Sequence, residues 1–147
     1  MTINIFTDGS CSGNPGMGGW GAVIVIDNSE TIDLHGGAIE TTNNQMELTA
    51  VIKVLKFFNK RENLDIFTDS LYVRDGISSW IQKWKVNGWK TSNKKPVKNQ
   101  KLWVELDQLI NQHNIKWHWV KGHAGNKYNE RADQLARKYI DKKSKSI

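Results

Sequence analysis

Asn4-Ile5-Phe6-Thr7-Asp8-Gly9-Ser10 opens the chain and has an echo: Ile-Phe-Thr-Asp occurs at Ile5 to Asp8 and again at Ile66 to Asp69. Each copy is rich in β-branched and aromatic residues and ends in a carboxylate followed by Gly or Ser, the pattern of a strand entering a turn. Side chains alternate faces along a strand, so Phe6 and Asp8 share one face, as do Phe67 and Asp69. If the copies lie side by side, parallel and in register, their carboxylates stand roughly 5 Å apart, one inter-strand spacing. Two strand-end acids that close suggest a metal site. Asp is also a common turn and helix-capping residue, so the repeat alone leaves a purely structural reading open.

The 147 residues suffice for one domain with its own core. A single cysteine, Cys11, excludes an internal disulfide framework and fits a reducing cytoplasm. The longest apolar run, Ala22 to Ile26, is far short of a membrane span, and the N-terminus reads as a strand without a signal or transit pattern. The net charge of +6 is concentrated. Between Asp75 and Glu105 there is no acid but seven lysines, and without them the chain holds 14 basic against 15 acidic residues. The same segment carries Trp80, Trp84, Trp89 and Trp103. Lysines interleaved with aromatics suit a nucleic-acid backbone and its bases, whereas a solvated basic face anchored by Trp is the plainer alternative.

Along the chain, the Gly/Pro-rich stretch Gly9 to Gly19 reads as a tight connection whose backbone can approach a ligand. Trp20 to Ile26 and Thr31 to Ile39 read as strands joined at Asp27-Asn28-Ser29, completing an antiparallel meander. Thr42-Asn43-Asn44-Gln45 matches a capping box, with Gln45 reaching back to the N-cap, and opens a helix to about Phe58. Its core face is Leu48, Val51, Ile52 and Leu55, with Glu47 in the first turn and turned inward. Leu64 to Thr68 is a fourth strand, reached through a helix and so able to pair parallel with the first. A short helix from Ser70 leads into a protrusion at about 80–101, broken at Asn87-Gly88 and Pro96. A helix from about Asn99 to Gln112 follows, with Leu102, Leu106, Leu109 and Ile110 inward. Then come a strand at Ile115 to Val120, a loop at Lys121 to Gly125, and a final helix from Asn126. That helix has an apolar stripe of Ala132, Leu135, Ala136, Tyr139 and Ile140, with Asp133 on its flank. The Lys/Ser-rich tail from about Asp141 reads as frayed.

Asp8, Glu47, Asp69 and Asp133 thus fall on one candidate site. Carboxylates about 4 Å apart repel by roughly 4 kcal/mol at an effective dielectric near 20. Several such pairs rival the ~5–15 kcal/mol stability of a domain, so the cluster must protonate, stay hydrated or bind cations. Oxygen ligands without Cys or paired His point to Mg²⁺, with Mn²⁺ as a substitute. Beside a Lys-rich platform, they suggest two-metal phosphodiester chemistry.

Thr-Asp-Gly-Ser-Cys near the N-terminus, Asn-Asn-x-Met-Glu opening a helix, Thr-Asp-Ser after a strand, and Lys-Gly-His-Ala-Gly followed by Asn-Glu-Arg-Ala-Asp closely resemble type 1 ribonuclease H, most nearly its bacterial form. The resemblance runs from the first strand to the last helix. It implies an α/β fold, a five-stranded mixed sheet flanked by helices, with strands 1–3 antiparallel and strands 4–5 parallel. It also implies a monomeric endonuclease that cuts RNA within RNA–DNA hybrids and leaves 3′-hydroxyl and 5′-phosphate ends. By the same resemblance Asp8, Glu47, Asp69 and Asp133 are metal ligands, and His123 moves a proton or assists product release. Cys11, Asn14, Asn43, Asn44 and Gln45 would touch the minor groove, where 2′-hydroxyls mark RNA. Trp80, Trp84, Lys83, Lys85, Lys90, Lys94 and Lys95 would hold the DNA strand. Two positions depart from the family pattern: Gln45, where a basic residue is common, and Leu71, where Gln is common. Integrases, junction resolvases and proofreading exonucleases share strand-end acids but lack the Gly-rich first turn, the Asn pair and the Lys/Trp protrusion. A non-catalytic hybrid-binding module is disfavoured because all four acids and His123 are present.

Overall fold

The repeated tetrapeptide forms two neighbouring strands in register. In the computed structural model, which describes residues 1–121 and 126–145, β1 (Ile3–Cys11) and β4 (Asn63–Thr68) run parallel. Ile5 lies opposite Ile66 and Phe6 opposite Phe67, and those two rings stack with centroids 4.8 Å apart. β1 also pairs antiparallel with β2 (Gly16–Ile26), which pairs antiparallel with β3 (Glu30–Thr41). β5 (Asn114–Trp119) adds parallel to β4, giving the order β3-β2-β1-β4-β5. The β2–β3 turn uses Asp27 and Asn28 at φ of 51° and 62°, a left-handed conformation that Asn and Asp tolerate best among residues with a side chain.

Alternation along the central strands feeds two cores. One face presents Ile5, Ile24 and Ile66 to α1 (Asn43–Phe57) and α4 (Gln100–Ile110). The other presents Phe6, Val23 and Val25 to Ala132 and Leu135 of α5 (Lys127–Lys145). Each fully buried branched or aromatic side chain contributes about 1.5–3 kcal/mol of transfer free energy. α1 buries Met46, Ala50 and Val54 in addition to its expected stripe, because it is wedged between the sheet and α4. α5 starts behind Asn126, whose side chain accepts from the amides of Tyr128 (2.9 Å) and Asn129 (3.1 Å), and it stays helical past Asp141, where the composition predicts fraying.

The glycines after Cys11 divide between a short connection at 12–15 and the start of the next strand. β2 begins at Gly16, not Trp20, and Gly19 and Gly21 lie inside it. A Cβ on Gly19 would sit 2.1 Å from the Ala136 carbonyl, and one on Gly21 would sit 2.5 Å from that of Ala132. These glycines let α5 rest directly on the β2 backbone, so their role is packing.

The protrusion grows from a single helical stretch. α2 (Leu71–Asp75) passes through a π-helical turn over Gly76–Trp80 into α3 (Ile81–Val86). Gly76 lies against the Trp103 indole, which a Cβ would meet at 2.0 Å. Trp103 is therefore a core residue, fully buried, and not part of an exposed aromatic surface. Beyond Val86, Gly88 and Trp89 take φ of 66° and 62°, ending the helix. A small hairpin follows, held by the Lys90–Pro96 bridge and by Val97 N–H donating to the Trp89 carbonyl at 3.1 Å.

Candidate active site

Asp8, Glu47 and Asp69 converge, each offering a carboxylate oxygen within 4.8 Å of the others. Three elements deliver them. β4 ends at Thr68, so Asp69 is the first residue beyond it. Asp8, by contrast, is not at a strand end: β1 continues to Cys11 against β2, with Asp8 opposite Gly21. Glu47 is the fifth residue of α1, one place beyond the first turn, so the helix-dipole explanation for an acid there does not hold. It is held inward by packing, and its side chain is almost wholly buried (6 % exposed).

Gly9 makes this approach possible. A Cβ there would lie 2.5 Å from the Glu47 amide nitrogen and 2.7 Å from the Met46 carbonyl carbon, so only glycine lets β1 come so close to α1. Its N–H donates to both the Asp8 and the Glu47 carboxylates. That donation lowers both pKa values, but it is outweighed. Burial first, then the charge of Asp69 and the contact with Asp133, push Asp8 up from its ordinary 3.8 to about 8. Burial and the neighbouring Asp8 and Asp69 likewise push Glu47 well above the usual carboxylate range. Asp133 hydrogen-bonds to Asp8 and pairs with Arg137, one turn along α5, at 2.8 Å. The four acids of the sequence reading are therefore gathered at one place. His123 lies outside the described residues.

The donor set fits a hard divalent cation: carboxylate oxygens only, within 4.8 Å of one another, in a place where burial and mutual repulsion oppose their ionisation. Beside Asp69, a hollow of about 400 Å³ is lined by Leu71, Arg74, Trp119 and Lys121 among others.

The expected substrate contacts fall into two groups around this centre. On one side, Cys11 and Asn14 meet the start of α1, where the Asn14 side chain accepts from the Asn43 amide at 3.2 Å and Thr42 caps the Gln45 amide. The reciprocal half of the capping box is not formed. Gln45 instead accepts from the Thr41 hydroxyl at 2.7 Å and donates to Asn99 at 3.1 Å, so its amide is engaged at both ends within the chain. On the other side, Trp80 and Trp84 stand half-buried with ring centroids 5.7 Å apart, and Lys83, Lys90, Lys94 and Lys95 are exposed. Lys85 differs from them, lying 3.4 Å from Asp107. Sequence reasoning missed the roles of Gly9, Arg137 and Asn99. A glycine directly after a candidate ligand was the one available signal.

The family model for RNase H matches residues 1–141. The chain belongs to the ribonuclease H family. It is 59 % identical over 140 residues to Ribonuclease H of Ehrlichia canis, covering 95 % of each chain, and 60 % identical over 138 residues to that of Wolbachia pipientis wMel, covering 94 % of each. Such identity over nearly full length makes it a ribonuclease H enzyme. Among solved structures it is similar to LC9-RNase H1, a type 1 RNase H with the type 2 active-site motif (TM-score 0.82, 33 % identity, 93 % of this chain and 71 % of that one). It is also similar to the N-terminal RNase H domain of rv2228c from Mycobacterium tuberculosis (TM-score 0.75, 28 % identity, 99 % and 97 %). The five-stranded mixed sheet that the resemblance implied, with strands 1–3 antiparallel and strands 4–5 parallel, is the one observed. Among the described residues, no helix is long and apolar enough to cross a membrane.

Proposed function

We propose that this ribonuclease H hydrolyses the RNA strand of RNA–DNA hybrids endonucleolytically, leaving 3′-hydroxyl and 5′-phosphate ends. The observation that carries the reading is the convergence of Asp8, Glu47 and Asp69 within 4.8 Å, with Asp133 against Asp8. These four residues would hold Mg²⁺, or Mn²⁺ in its place. Bound there, the ions would supply charge neutralisation at the phosphodiester in a two-metal arrangement.

The chain's own groups do the rest. Gly9 N–H orients two of the carboxylates, and Arg137 holds Asp133 toward the centre. The start of α1, with Cys11, Asn14, Asn43 and Asn44, would lie along the minor groove and contact 2′-hydroxyls. The Trp80/Trp84 surface and the protrusion lysines would hold the DNA strand by stacking and phosphate neutralisation. His123, in the Lys-Gly-His-Ala-Gly stretch of the sequence, would take or give a proton or assist product release. The reading treats the chain as one monomeric catalytic domain acting in the cytoplasm.

The test is cleavage of labelled RNA–DNA hybrid, double-stranded RNA, double-stranded DNA and single strands, each with Mg²⁺ or with EDTA. The expected result is internal cutting of RNA in the hybrid alone, with Mg²⁺ alone. Equal cutting of double-stranded DNA, or full activity in EDTA, refutes the proposal.

A further inference from the structure

One polar line crosses the molecule between the two surfaces assigned to substrate. The Thr41 hydroxyl donates to Gln45 Oε1 at 2.7 Å, and Gln45 Nε2 donates to Asn99 Oδ1 at 3.1 Å. Asn99 Nδ2 then donates to Tyr72 Oη at 3.0 Å, where the Trp103 indole N–H also donates at 3.0 Å. Gln45 and Asn99 are 54 residues apart in sequence, and Asn99 and Tyr72 are 27 apart, so the line ties together elements that the chain does not join locally. Its near end is the start of α1, two residues before Glu47. Its far end is an aromatic cluster: Tyr72 meets Trp80 edge-on at 5.7 Å, and Trp84 meets Trp103 at 5.5 Å.

Asn99 has a conformation suited to this task. It precedes α4 at φ 60° and ψ 33°, and its side chain makes no capping bond to its own helix. An Asn in the N-cap position ordinarily satisfies a helix amide. Here both ends of the amide are given to Gln45 and Tyr72 instead. Gln45 is committed in the same way, with both of its polar atoms bonded inside the protein.

The geometry points to Gln45 as a positioning residue that acts through Asn99 and Tyr72 to fix the spacing between the start of α1 and the Trp80/Trp84 surface, and so the fit of a hybrid across both. This rests on the proposed function. A duplex gripped on both strands is sensitive to that spacing, whereas chemistry at the carboxylates is not, since no member of the line is an acid of the cluster.

The experiment uses Gln45→Met, which keeps the length and volume of the side chain but neither donates to Asn99 nor accepts from Thr41 with comparable strength. Tyr72→Phe cuts the same line at its other end and remains informative if the first variant folds poorly. Each should raise KM for a labelled hybrid about fivefold, the weight of one neutral hydrogen bond. Saturated turnover should stay within a factor of two of the parent. No charge is removed, so the salt dependence of hybrid binding should be unchanged. The double variant should have a KM no higher than that of the worse single variant, because either cut severs the same connection. Parental KM in both single variants, multiplicative effects in the double, or a fall in saturated turnover at constant KM would overturn the inference. A parent that cuts hybrid beside parental variants leaves the function standing and removes only the positioning role, whereas a parent that does not cut hybrid removes both.

Discussion

Asp8→Asn exchanges one carboxylate oxygen for an amide NH₂ at the centre of the acid cluster, and its consequence for the metal-free protein follows from the geometry. Asp8 titrates near 8 when folded against an ordinary value of 3.8. A folded-state pKa raised above the unfolded one means that the folded chain holds this proton more tightly. The stability it confers is complete below about pH 4 and is lost as pH rises through about 8. Within that window the parent loses about 1.4 kcal/mol per pH unit at this site, or roughly 4 kcal/mol by pH 7. Coulomb repulsion gives a similar scale, about 3–4 kcal/mol for one pair of charges 4.8 Å apart at an effective dielectric near 20. Asn carries no such burden, and its amide oxygen can still accept from Gly9. In EDTA the variant should match the parent near pH 4 and exceed it at pH 7 by about 2–4 kcal/mol, some 6–12 °C in Tm at roughly 3 °C per kcal/mol. Mg²⁺ should raise the Tm of the parent and narrow the gap, while cleavage by the variant is abolished. The assay is a pair of thermal melts in EDTA across pH 4 to 8. A variant that melts at or below the parent at pH 7, or a gap independent of pH, would refute the reasoning.

Gly9→Ala should cost about 1–3 kcal/mol, because the new methyl meets two backbone atoms of α1, and it should weaken Mg²⁺ binding by displacing Glu47; an unchanged Mg²⁺ titration would show that Gly9 does not set that position. Replacing Lys90, Lys94 or Lys95 with Ala should raise KM, spare saturated turnover and flatten the salt slope of hybrid binding by about one unit each. Lys85→Ala should flatten it by less than half as much, because Asp107 already lies 3.4 Å from that ammonium; equal slopes for all four would remove the distinction. His123→Ala should lower turnover by roughly 10²-fold or less with Mg²⁺ binding intact, as single-turnover and titration measurements would show.

What the sequence disclosed depended on whether side chains carried the information. The duplicated Ile-Phe-Thr-Asp suggested a parallel, in-register pair, because two strands with the same alternation can lie side by side with like side chains on like faces. The four acids were legible for the same reason, each being charged at a position the pattern turned inward. The β2 glycines were not, since residues without side chains show no periodicity, and only the approach of α5 reveals what they admit. Trp103 looked like Trp84 and Trp89 in composition, and only Gly76 beneath its ring marks it as core. Gln45 was read as half of a capping box because that motif is local, whereas its bond to Asn99 joins residues that nothing in the local pattern relates. The early start of β2 and the mid-strand position of Asp8 share one cause. β1 keeps pairing with β2 after its pairing with β4 has ended.

The seating of α5 on bare β2 backbone has a consequence in time. During synthesis the first three strands, α1 and β4 are complete long before the ribosome reaches Asp133. Until α5 docks, the face carrying Phe6, Val23 and Val25 lacks Ala132 and Leu135, and Asp8 lacks Asp133 beside it. The acid cluster thus receives Asp133 from the last of the described helices. Before α5 is made, the chain already carries its basic segment, its tryptophans and the Asp8, Glu47 and Asp69 carboxylates, but not Asp133.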